Sequence, residues 1–86
     1  MSARPSYTTL AAERDIWLNA KGLVDAFGDQ AVDECSNAIH DFALEGDDDE
    51  AQKWFETKEA AKRLLDDPAL IALVEALEAS PSGKPQ

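Results

Sequence analysis

Gly28, Gly46 and the pair Asp67-Pro68 stand at near-regular intervals along this chain, and apolar residues recur with helical spacing between them. A glycine tolerates the left-handed backbone wanted just past a helix C-terminus. A proline suits the first helical position, where its missing N–H costs nothing. These marks divide the 86 residues into four segments of helical period, at about residues 9–27, 30–45, 48–66 and 68–78. There is no strand pattern, internal repeat or second domain. The spacing predicts an all-α fold, a small bundle of four helices within one domain over 8–79. A flexible N-terminus at 1–7 and a disordered C-terminal tail at 80–86, free of apolar residues, flank it.

In the first segment Leu10, Ile16, Trp17, Ala20, Leu23, Val24 and Phe27 fall within an arc of about 140°. Asp15, Asn19, Lys21 and Asp25 lie opposite, and Thr8 or Thr9 is placed to cap the helix. Asp29 is expected to cap the second helix, whose inner stripe is Ala31, Cys35, Ala38, Ile39 and Phe42. The short connection predicts that helices 1 and 2 form an antiparallel hairpin. In the third, Asp47 and Glu50 have capping-box spacing, and Ala51, Trp54, Phe55, Ala61 and Leu65 form the stripe. Asp67 caps the fourth, which buries Leu70, Leu73, Val74 and Leu77. Lys58 and Glu13 each interrupt an apolar stripe, so Lys58 is expected to reach water or to meet Glu13. Leu18, Leu44 and Ile71 lie off their own inner arcs and are the candidates for self-association.

The charge is distributed very unevenly. Residues 22–52 hold ten acids and no Lys or Arg, whereas the other 55 residues hold eight acids and eight bases. The formal net charge of −10 therefore belongs to one window. Such a surface repels nucleic acid and anionic membrane and favours a basic protein partner. On helix 2, Glu34, Asp41 and Glu45 fall on one line, spaced roughly 10 and 6 Å apart at the helical rise. Asp47, Asp48, Asp49 and Glu50 extend that line past the turn. These seven residues are the candidate partner-binding set.

Catalytic chemistry has little to build on. Cys35 and His40 are the only thiol and imidazole, and five residues apart on a helix they point about 140° from each other. A twelve-residue calcium frame from Asp41 puts Gly46 at the sixth place but fails at Ala43 and at Gln52, which replaces the bidentate glutamate. No phosphate loop, nucleophilic triad or basic aromatic face is present, so no enzyme, cofactor or metal is expected. A lone cysteine and the missing signal peptide point to a reducing cytoplasm, and no apolar run approaches a membrane span.

The stretch Ala43-Leu44-Glu45-Gly46-Asp47, followed by Ala51 and Trp54, resembles an uncharacterised family of small proteobacterial all-helical proteins. Gly28-Asp29 matches the end of that family's first helix, and the likeness runs from about Glu13 to Leu65. The chain departs near Thr57 and Lys58, where the family places an aliphatic residue. The resemblance implies an all-helical fold in a bacterial cytoplasm and no particular activity. Two functions follow from the sequence. One is a non-enzymatic interaction module whose acidic side binds a basic protein, in the manner of a regulator or inhibitor. The other is a self-associating structural protein, a homodimer through Leu18, Leu44 or Ile71, whose acidity serves solubility.

Overall fold

Ser6, not Thr8 or Thr9, starts the first helix, its hydroxyl accepting the Thr9 amide at 3.2 Å. In the computed structural model, which describes residues 5–79, the chain is helical throughout and has no strand among the described residues. Helix α1 spans Tyr7–Ala12, α2 Arg14–Phe27, α3 Ala31–Leu44, α4 Asp48–Asp66 and α5 Pro68–Ala79. The expected four-helix all-α fold is present, with its first helix bent at Glu13 into α1 and α2. The bend lets α1 pack against α5, with Leu10 fully buried in the core. Residues 1–4 of the expected flexible N-terminus and the expected tail at 80–86 lie outside the described residues.

The turns follow the glycines. Gly28 has φ 59° and Gly46 φ 79°, a region that costs other residues about 1–2 kcal/mol. Asp29 does not cap α3. After Gly28 the chain enters a single 3₁₀ turn over Gly28–Gln30, which runs directly into α3 without a side-chain cap. Asp47 does cap α4, accepting the Glu50 amide at 3.2 Å, and Asp67 accepts the Ala69 amide at 3.2 Å at the start of α5. The return half of a capping box is not made, because the Asp47 amide donates to the Phe42 carbonyl instead.

The core is formed mainly by α2, α4 and α5, with Leu10, Trp17, Ala20, Ala61, Leu64, Leu70, Val74 and Leu77 at its centre. Helices α2 and α3 form the expected hairpin, yet each packs more extensively against α4 than against the other. The buried face of α4 is Thr57, Ala60, Ala61 and Leu64, rotated by about 100° from the expected stripe. Of that stripe only Ala61 is buried; Ala51, Trp54 and Leu65 are half-buried and Phe55 is exposed. Thr57 and the alanines are small enough to admit a neighbouring helix, and the Thr57 hydroxyl donates back to the Lys53 carbonyl at 2.9 Å. Phe27 is also exposed, at 43%, not inside as its arc implies.

Candidate docking surface

From residue 36 to residue 56 no side chain is buried. This stretch is the C-terminal half of α3, the Gly46 turn and the first half of α4. Ile39, Phe42 and Trp54 are only half-buried within it, and Leu44 stands 75% exposed beside the turn. Part of the reason lies in the topology: α5 covers α1, α2 and α4 but makes no substantial contact with α3.

The same tip carries most of the acidic window. Glu34, Asp41 and Glu45 are exposed along α3, and Asp47, Asp48 and Asp49 are exposed at the start of α4, with Glu50 half-buried. The first-turn acids face the positive end of the α4 dipole, and the Asp47 carboxylate also satisfies a first-turn amide. Among the described residues, the window's acids form ion pairs in two places. Asp25 meets Lys21 at 2.8 Å, and Glu50 meets Lys53 at 3.4 Å. The other eight form no ion pair within 4 Å among the described residues.

The off-pattern apolar residues separate. Leu18 and Ile71 are half-buried and pack against the core. Their helices are touched from more than one side, which a single-stripe reading does not anticipate. Leu44 alone of the three is exposed. Glu13 and Lys58 form no ion pair with each other among the described residues. Glu13 accepts the Trp17 indole N–H at 3.0 Å, and Lys58 is half-buried near Cys35, where its charge acts on the thiol. Cys35 is fully buried and its thiol is pushed above the ordinary range, chiefly by that burial. A buried protonated thiol is inert.

Lys21 escapes a sequence reading altogether. Placed on the polar side of its helix by periodicity, it is 6% exposed in the structure. Its ammonium lies 2.8 Å from Asp25, 3.7 Å from Glu75 and 3.9 Å from Glu78, so carboxylates from α2 and α5 converge on one cation. The hydrogen bond to Asp25 raises the Lys21 pKa above the ordinary lysine value, and burial opposes it. The signal was present only as i, i+4 spacing to Asp25; the α5 partners are distant in sequence.

Among the described residues no group of three or more His, Cys, Asp and Glu side chains is arranged to hold a metal ion, and no helix is long and apolar enough to cross a membrane. No protein-family model, curated protein or solved structure matches the chain.

Proposed function

We propose that this chain is a non-enzymatic interaction module whose acidic side, residues 22–52, docks a basic protein partner in the cytoplasm. The observation that carries this reading is the coincidence of two properties at the α3–α4 tip. It holds unneutralised carboxylates, and it has no buried side chain over residues 36–56. A solubilising face needs the charge but not the half-covered Ile39, Phe42 and Trp54. A docking face uses both, since charge steers the encounter and apolar area supplies residence. Regulation or inhibition of the basic partner is the role such masking would serve.

The test is capture from a lysate of the source cells with the wild type and with a D47N/D48N/D49N variant. Asn caps a helix as well as Asp does, so α4 keeps its start while three charges leave. A basic partner held by the wild type at low salt and lost by the variant supports docking through the acidic side. A partner held equally by both refutes it.

The exposed Leu44 favours a second reading, in which the chain self-associates and its acidity serves solubility. Salt discriminates between them. An acidic contact weakens as ionic strength rises, whereas association through Leu44 persists, and L44S would abolish it.

A further inference from the structure

We propose that the groove between the start of α2 and the middle of α4 is a second docking site, shaped for one apolar side chain on a lysine- or arginine-bearing segment of a protein partner. The groove encloses about 260 Å³. That lies below the roughly 300–1,000 Å³ of a small-molecule site and suits a single large side chain. Its floor is Ile16, Trp17 and Ala60, and one wall is Phe55, which is 46% exposed. An aromatic wall open to water beside a rigid buried indole is the composition of an anchor pocket.

The rim decides the sign of the ligand. Glu13, Glu56 and Glu59 border the groove against one guanidinium, Arg63. The Trp17 indole holds Glu13 in place at 3.0 Å without neutralising it, and the Gln52 amide does the same for Glu56 at 3.2 Å. Glu59 shares an exposed pair with Lys62 at 3.5 Å, a contact that hydrated groups give up readily. A larger open depression shares Glu13, Ile16 and Glu56 with the groove and reaches Glu50, at the edge of the acidic window, with Arg14 and Lys53 also in its lining. Charge complementarity therefore selects a basic segment. A second copy of the chain brings its own net charge of −10, which disfavours it relative to a basic segment. An apolar residue flanked by lysines, presented on a helix or an extended strand, fits the groove and its rim together.

The test uses the full chain carrying W54F, which leaves Trp17 as the only indole. The probe is a synthetic helical peptide of leucine and lysine with leucines at helical spacing, alongside one control with Lys→Glu and another with Leu→Ser. Expected is a shift in Trp17 emission with the leucine–lysine peptide and none with either control. F55A and E59K should each weaken binding about tenfold, equivalent to about 1.4 kcal/mol. Both positions are exposed, so neither change threatens the fold, and E56Q repeats the rim test without reversing a charge. D47N/D48N/D49N should retain the emission shift. Unchanged affinity in F55A, or equal binding of the Leu→Ser peptide, overturns the proposal. Loss confined to D47N/D48N/D49N overturns it as well, and leaves docking through the acidic window standing.

Discussion

Lys21 shows how far residue-level pattern reaches. Periodicity gives a lysine to the polar face, and here that face turns under α5, where Glu75 and Glu78 meet the ammonium at 3.7 and 3.9 Å. The three carboxylates are each more than half exposed, so they keep their hydration when the cation is removed. Lys21→Met preserves the buried stem and should cost less than about 1 kcal/mol, whereas Lys21→Ala should cost about 1–3 kcal/mol through lost packing. Chemical denaturation of both variants checks this order, and a large loss in Lys21→Met would mean that the pairing, not the stem, dominates. The sign of the pH dependence is fixed. The folded pKa lies above the ordinary 10.5, so the pairing contributes fully below that pH and is lost as pH rises through the folded value. The stability difference between wild type and Lys21→Met should stay flat from neutral pH to about 10 and shrink above it. Phe27 and Phe55 failed in the opposite direction, expected inside and found exposed, because hydrophobicity does not say whether a small bundle has enough elements to cover every apolar face.

At the scale of elements, the stops and starts were legible and the faces less so. Gly28, Gly46, Asp47 and Asp67-Pro68 act as their chemistry dictates, since capping is a local property of a few adjacent residues. The buried face of α4 is a tertiary property. Thr57, Ala60 and Ala61 carry little hydrophobic signal, and they are buried because their small size admits neighbouring helices. Asp47→Ala should cost about 0.5–2 kcal/mol, and Gly46→Ala about 1–2 kcal/mol, from the positive φ alone, because nothing lies within 4 Å of an added Cβ. Urea melts of the two variants test both values, and a neutral Gly46→Ala would show that the turn relaxes. The uncovered tip makes a further prediction for native-state hydrogen exchange. Amides of residues 39–44 and 51–55 should exchange through local opening well before those of residues 60–64, which belong to the core. Equal protection would place the tip in the cooperative unit.

For the whole molecule the dominant fact is the separation of charge. The acidic window overlaps the α3–α4 tip, which has no buried side chain over residues 36–56, and the core lies toward α2 and α5. That the window exists was legible from the chain; that α5 leaves α3 without substantial contact was not, because it depends on where α5 lands. Eight carboxylates that form no ion pair among the described residues repel one another across a Debye length of about 8 Å at physiological salt. Against a stability of about 4–13 kcal/mol for this length, the repulsion should be visible. The melting temperature should therefore rise between about 20 and 200 mM NaCl, and less so in D47N/D48N/D49N. A flat curve in the wild type would mean that the acids are locally neutralised. Docking through the acidic side makes affinity depend on salt. Its most direct test is the affinity of the captured partner for wild type and D47N/D48N/D49N, measured from about 50 to 500 mM NaCl. Affinity should fall steeply with salt for the wild type and be weak and nearly salt-independent for the variant; equal, salt-insensitive affinity for both would rule out docking through the acidic side.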